Sequence, residues 1–268
     1  MRDRTAAATP EGLTVAIPVF NEEAILETNV QRVVAYLERL ALPCQILIGS
    51  NGSTDATVGL GARLQARHPA VEFFHLPVRG VGLAFREFVR RARFPLLVSL
   101  DMDLSADIRF IERALPLLAT HAIVVGSKRL APQKRPAFRR LGSDTFLWCA
   151  RRMTGLPYDD YSIGAKGYRL DFLRTYADRI DGGSSYVLDL CFAAHHDGRR
   201  VACVPVECED RRTSKFNLFS EAVYKFQRLA RLCLRSTAAR HDFGRTGPVS
   251  VLRARLGALP SVQRRRLT

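Results

Sequence analysis

Pro95-Leu-Leu-Val-Ser-Leu-Asp101-Met-Asp103-Leu-Ser105 is the stretch on which the reading of this chain turns. Its apolar run leads straight into two carboxylates with one residue between them. The pattern predicts a buried strand that ends where the chain becomes polar. In an open α/β sheet, ligands bind in the crevice outside the carboxyl ends of the strands. Two acids placed there are costly unless a cation compensates them, and a divalent metal carrying a diphosphate is the usual compensation. Taken alone, an Asp-x-Asp triplet is better explained as a solvated loop or a helix N-cap.

Outward from this stretch, apolar runs alternate with helical periodicity. Strands are expected at Leu13–Phe20, Gln45–Gly49, Val71–Leu76, Leu96–Leu100 and Ile123–Val125. Helices are expected at Glu23–Leu40, Asp55–Arg67, Val81–Arg91 and Ile108–Leu118. This rhythm predicts an α/β fold, a Rossmann-like and mostly parallel sheet with helices on both faces. After Arg129 it breaks. A basic loop at Gln133–Arg140 precedes a helix at Leu141–Thr154 and an irregular polar segment at Asp159–Tyr168. A helix at Val187–His195 and a strand at Val201–Val206 follow. The strand ends carry polar clusters: Ile-Pro-Val-Phe-Asn-Glu-Glu (17–23), Gly-Ser-Asn-Gly-Ser-Thr-Asp (49–55), Arg79-Gly-Val-Gly82 and Asp101-Met-Asp103. In a parallel sheet all four line one cleft.

At 268 residues the chain is long enough for one large core, and 47% hydrophobic residues is ordinary for a globular protein. The opening MRDRTAAATPEG has no apolar segment of the kind a signal peptide needs, and no stretch reaches bilayer-spanning length. A cytoplasmic protein, peripheral on the membrane face, is the expectation. The six cysteines show no metal-ligand spacing and read as small apolar residues of a reducing compartment. The net charge of +15 is the unusual feature, and residues 216–268 hold eleven Lys/Arg against two acids. Such a balance favours an anionic partner. Nucleic acid is disfavoured, because aromatics are not interleaved with the basic residues.

The series IPVFNEE, SNGSTDAT, RGVGLAFRE and DMDLSAD resembles the nucleotide-sugar half of family 2 glycosyltransferases with a GT-A fold. GSKRL (126–130), RRLGS (139–143), GLPYDDYSIGAKGYR (155–169) and VPVECEDRRTSKF (204–216) resemble the polyprenyl-phosphate (dolichyl-phosphate-type) hexose synthases. The similarity runs over roughly 12–235, with the motifs in the expected order. It implies that Pro18, Phe20 and Glu22 frame the base and ribose, with Asn51 and Asp55 beside the base and Arg79 and Gly82 on the same nucleotide side. Asp101 and Asp103 would hold Mg²⁺ or Mn²⁺ on the diphosphate of a GDP- or UDP-hexose. Lys128, with Arg135 or Arg140, would meet phosphate oxygens of the acceptor or leaving group. Asp160, Gly164 and Lys166 would lie at the sugar and acceptor end, and Arg211 and Lys215 would close over the phosphates. Ser50-Asn51 stands where relatives often carry two consecutive acids, and Lys128 where Arg is common. Ser162 and Leu147 replace a Gln and an Asn.

A phosphate acceptor is ionised at neutral pH and needs only positioning by cations, whereas a hydroxyl acceptor needs a base. Asp189 is the candidate base, or else a structural ion pair. Inversion by single displacement is expected, since no second nucleophile is evident. If 219–235 is helical, Phe219, Val223, Phe226, Ala230 and Cys233 share one face and Lys225, Arg228, Arg231 and Arg235 the other. That helix suits an anionic membrane surface, or it packs its apolar face on the domain. The expected organisation is a flexible 1–11, a GT-A domain over 12–216, an amphipathic helix over 217–238 and a basic tail over 239–268. Two other functions remain open: transfer to a hydroxyl acceptor such as a glycan, glycolipid or small molecule, and non-catalytic binding of a nucleotide sugar or nucleic acid on the same fold.

Overall fold

Leu13, Val15, Ile17 and Val19 alternate along β1 (Leu13–Val19) into one hydrophobic cluster, while Ala16 enters another on the opposite side of the sheet. This period of two is what a strand covered on both faces requires. The computed structural model describes residues 11–130, 137–157, 161, 163–208, 223–232 and 234. After β1 come α1 (Leu26–Glu38), β2 (Cys44–Asn51), α2 (Thr57–Arg67), β3 (Val71–Leu76), α3 (Val81–Arg91), β4 (Leu96–Ser99), α4 (Phe110–Leu118) and β5 (Ile123–Ser127). The second half holds α5 (Ala137–Thr154), β6 (Lys166–Arg169), α6 (Leu170–Thr175), α7 (Tyr186–His196) and β7 (Val201–Pro205). A last helix, α8, spans 223–232.

The seven strands lie in the order β3-β2-β1-β4-β6-β5-β7. β1 pairs in parallel with β2 and β4, β2 with β3, and β5 with β7, whereas β6 runs antiparallel to both β4 and β5. Side chains of α1, α2 and α4 fill the core on one face. Those of α3, α5, α6, α7 and α8 fill the other. The expected α/β sheet with helices on both faces is therefore present, and the carboxyl ends of β1 to β5 all emerge at one edge.

Two elements differ from expectation. The segment read as irregular and polar contains β6, whose four residues Lys-Gly-Tyr-Arg carry no apolar alternation. It is central all the same, bonded on both sides, with Lys166 only 4% exposed. Hydrogen bonding from two neighbours replaced the missing hydrophobic signal. The second difference is in α8. Leu229 and Leu232 are its buried residues, and Arg228 turns inward with them. The apolar face, Val223–Phe226–Ala230, is turned outward rather than packed on the domain, so the departure is Arg228, expected on the basic face with Lys225 and Arg231. Phe219, Cys233 and Arg235 lie outside the described residues.

The core beneath the cleft rests on an aromatic group. Phe85 of α3 stacks on Tyr186 of α7 with centroids 4.4 Å apart, and meets Tyr168 of β6 edge-on at 5.4 Å. Truncating Phe85 removes contacts to α7 and β6 at once. Phe85→Ala is expected to cost about 3–5 kcal/mol, measured as a lowered urea midpoint with an unchanged slope.

Candidate active site

The first two strand-end loops are sewn together. The Asn21 N–H donates to Ser53 Oγ (3.1 Å), Glu22 N–H to Thr57 Oγ1 (2.8 Å) and Glu23 N–H to Asp55 Oδ2 (3.3 Å). In return Thr54 N–H donates to Asn21 Oδ1 and Ala56 N–H to Glu23 Oε2, each at 2.8 Å. Asn21 takes a positive φ of 53° to make these bonds, a conformation Asn tolerates better than most residues. Asp55 also accepts the Thr57 N–H at 3.0 Å. Burial works against its charge, but the Thr57 and Glu23 hydrogen bonds hold its carboxyl below the ordinary range. Asp55 is thus a loop staple and helix-start residue, and Pro18 and Glu22 are half-buried at the cleft edge beside it.

Asn51, at the end of β2, uses both ends of its amide. Its Nδ2 donates to the Val19 carbonyl of β1 (2.9 Å), and its Oδ1 accepts the Gly80 N–H ahead of α3 (3.2 Å). An aspartate could accept but not donate, so the departure from the two-acid pattern has a structural use here. The Arg79 guanidinium lies over the Phe20 ring, 4.1 Å from its centroid. Gly82 is needed for a close approach: a Cβ there would overlap the Asp181 carbonyl oxygen. Its N–H donates to the Gly182 carbonyl at 3.2 Å.

β4 delivers the two acids. Leu100 N–H still bonds to Ala16 of β1, after which the chain turns, with Leu104 at a φ of 47° and its N–H on the Asp101 carbonyl. Buried Met102 anchors the turn, and its carbonyl accepts Asn29 Nδ2 at 2.8 Å. Asp101 Oδ2 accepts the Gly164 N–H at 3.1 Å, and Ser99 Oγ donates to the Gly164 carbonyl at 2.7 Å. A side chain at position 164 would overlap the Asp101 carboxylate. Desolvation by the surrounding protein pushes the Asp101 carboxyl up. Lys166 pulls it down, the negative charge of Asp103 raises it again, and Lys128 and the Gly164 N–H lower it. Asp103 is half-buried, with Oδ1 on the Ser105 N–H at 2.9 Å.

The opposite wall comes from the second half. Lys128 follows β5 directly in a single 3₁₀ turn, Lys128–Leu130. Lys166 opens β6. It is buried behind Asp101, with its ammonium on the Ile163 carbonyl. Asp189 is 5% exposed on α7, and its Oδ2 accepts a hydrogen bond from Arg228 of α8 at 2.5 Å. The structure thus supplies the ion pair that was the alternative to a free base. Arg135, Asp160, Arg211 and Lys215 lie outside the described residues, as does the side chain of Arg140. Sequence reasoning missed Tyr186 and Asp181. Burial, and then the negative charges of Asp101 and Asp181, push the Tyr186 hydroxyl's pKa up. Asp-Gly-Gly-Ser-Ser ahead of a helix was the one signal available for that segment.

Asn51→Asp is expected to cost about 1–3 kcal/mol, because the Val19 carbonyl loses its donor and a buried charge is gained; thermal denaturation at neutral pH measures it. Gly164→Ala should leave the fold cooperative but displace the Asp101 carboxylate. Weaker Mn²⁺ binding with a melting temperature close to wild type is the expected pair of results.

Residues 14–176 match the family model for glycosyl transferase family 2. Among curated proteins, the chain is similar to glycosyltransferase AglD of Haloferax volcanii, 26% identical over 226 residues, covering 80% of this chain and 36% of that protein. It is also similar to an undecaprenyl-phosphate mannosyltransferase of Micrococcus luteus, 29% identical over 206 residues, covering 73% of this chain and 82% of that one. It spans about half of an undecaprenyl-phosphate 4-deoxy-4-formamido-L-arabinose transferase of Pectobacterium carotovorum (28% identical, 49% of its length). Among solved structures, glucosyl-3-phosphoglycerate synthase of Mycobacterium tuberculosis with Mn²⁺ and UDP-glucose superposes with a TM-score of 0.62, at 19% identity, over 86% of this chain and 80% of that one. Mannosyl-3-phosphoglycerate synthase of Rubrobacter xylanophilus gives 0.61, at 17% identity, over 88% and 78%. These likenesses establish the fold as GT-A. The matched span runs from β1 through the Asp101–Asp103 turn and β6 to the end of α6, so the chain belongs to glycosyl transferase family 2.

Proposed function

We propose that this chain transfers a hexose from a nucleoside-diphosphate sugar to a polyprenyl phosphate at a membrane surface. The observation that carries the reading is the pairing of Asp101 and Asp103 at the end of β4 with Lys128 at the end of β5, on one edge of the sheet. The names of the Micrococcus and Pectobacterium relatives support the lipid phosphate, and the Mycobacterium complex with Mn²⁺ and UDP-glucose supports the donor class.

The donor set at the acids fits a hard divalent cation. Asp101 and Asp103 offer carboxylate oxygens, and among the described residues no group of three or more His, Cys, Asp or Glu forms a fuller cage. Two carboxylates with phosphate oxygens and water completing the shell is a common way to hold Mg²⁺. Bound there, Mg²⁺ or Mn²⁺ would neutralise charge on the nucleoside diphosphate as it departs. Gly164 and Lys166 hold Asp101 in place. Pro18, Phe20, Glu22, Asn51, Asp55, Arg79 and Gly82 form or brace the nucleotide side.

In the proposed reaction an acceptor phosphate oxygen forms a bond to the anomeric carbon as the bond to the diphosphate breaks, in one inverting displacement. Lys128, Arg135, Arg140, Arg211 and Lys215 would orient the two phosphate groups, and Asp160 would sit at the sugar end. The Arg228 contact favours this acceptor over a hydroxyl. A carboxylate held by a guanidinium is a poor proton acceptor, and a phosphate acceptor needs none.

Among the described residues no helix is long and apolar enough to cross a membrane. The outer faces of α5 and α8 carry Trp148 (68% exposed), Met153, Val223 and Phe226, with Arg151, Arg152 and Arg231 among them. Phe146 of α5 meets Phe226 of α8 edge-on at 5.5 Å. Exposed aromatic side chains with cations beside them suit a bilayer's headgroup region. We propose this surface as the membrane contact.

With undecaprenyl phosphate and a panel of GDP- and UDP-hexoses, nucleoside diphosphate release is expected to need Mg²⁺ or Mn²⁺. Asp103→Asn should lower it by about 10²-fold or more. Turnover with hydroxyl acceptors but with no polyprenyl phosphate would sink the acceptor assignment. Trp148→Glu should reduce co-sedimentation with vesicles containing anionic lipid while leaving nucleotide binding unchanged.

A further inference from the structure

Asp181 joins three parts of the molecule that are distant in sequence. Tyr224 Oη donates a hydrogen bond to its Oδ2, and Arg228 Nε lies 3.2 Å from the same oxygen. The second arm of the Arg228 guanidinium reaches Asp189 of α7. Arg228 thus hydrogen-bonds α8 to α7 and lies within ion-pair distance of the loop that precedes it, to which Tyr224 supplies the hydrogen bond. Arg228 is largely shielded, as are Asp181 and Asp189, so these contacts are weakly screened by salt.

The backbone that Asp181 belongs to presses on the nucleotide side of the cleft. The Gly182 carbonyl accepts the Gly82 N–H, and the Asp181 carbonyl occupies the space a Cβ of Gly82 would need. A Cβ at Gly80 would come within 2.8 Å of the Gly182 carbonyl. Gly183 in turn leaves room for the Tyr224 hydroxyl, which a side chain there would displace. The Gly80 N–H is also the group that bonds Asn51, and Arg79, one residue earlier, covers Phe20. The contacts run from α8 through Asp181–Gly183 to Gly80–Gly82 and then to Arg79, Asn51 and Phe20.

We propose that Arg228 and Tyr224 are positioning residues for the nucleotide side of the cleft: by fixing Asp181, they hold the Asp181–Gly183 backbone against Gly80–Gly82 and so set the loop that carries Arg79. The proposal rests on reading that side as the nucleotide site. It makes donor binding depend on how α8 is docked. The docked face of α8 is the reverse of the one that exposes Val223 and Phe226.

Hydrogen exchange on the full chain tests the coupling, alongside UDP and GDP binding in the presence of Mn²⁺. In Tyr224→Phe and Arg228→Gln, amides of residues 79–84 should exchange about tenfold faster than in wild type while β1 and β2 keep their protection. Whichever nucleotide the wild type binds should bind these variants several-fold more weakly. Gln227→Ala, an exposed change on the same helix, should do neither. Tyr224→Phe removes one hydroxyl and so keeps the test open if Arg228→Gln does not fold. Faster exchange confined to 181–189, or an unchanged nucleotide affinity in a folded variant, would overturn the coupling. A wild-type chain that binds neither UDP nor GDP would instead overturn the nucleotide reading, and the exchange at 79–84 would still report on the loop contact.

Discussion

Asp101 is a carboxylate pressed into the seam of a sheet, and the surrounding structure is arranged so that it can stay there. Desolvation favours its neutral form. The Gly164 N–H, the buried ammonium of Lys166 and the charge of Lys128 act in the other direction. Each depends on a fold-level decision. Gly164 and Lys166 reach Asp101 only because β6 is inserted beside β4, with Lys166 in register with Ser99. Lys128 arrives because β5 runs in the same direction as β4 and exits at the same edge. The acid turn is therefore a product of both halves of the chain.

The first half was legible because its chemistry and its packing coincide. β1, β2 and β4 are apolar on both faces, as strands buried between two helix layers must be, and their polar loops begin where that burial ends. The positions of Asp101 and Asp103 follow from this, whereas Lys128 is picked out only by the family resemblance. The second half hid its main strand, because Lys166-Gly-Tyr-Arg169 has no hydrophobic rhythm and is defined by pairing on both edges. For the same reason nothing local signals that Lys166 is buried, which follows from being in the middle of a sheet.

The residues that join the helices to the cleft were legible only in part. Asp189 was visible as an acid on a helix, but its partner lies 39 positions away on α8, a distance over which no local pattern speaks. Arg228 falls on the basic side of a helical wheel, the side expected to meet anionic headgroups or solvent. Leu229 and Leu232 decide otherwise: once they are buried, the residue preceding Leu229 is carried inward, and a buried guanidinium requires acids to meet it. Asn51 shows the converse case. Its identity looked like a departure from a nucleotide-binding pattern, and the amide proves to bridge β1 and the Gly80 loop.

The reversal of β6 has a consequence for how such a chain can change over time. β1 to β4 form a closed set of parallel pairings whose register owes nothing to the segment between β5 and β6. Residues 128–165 leave from one edge of the sheet and return to that same edge. Between Lys128 and Gly164, which Asp101 needs, the length and the exposed residues of this segment can therefore drift without shifting any strand of the first half. A catalytic scaffold with this connectivity can keep one substrate wall fixed and rewrite the other, so diversity across its kin should gather on the wall that faces Asp101.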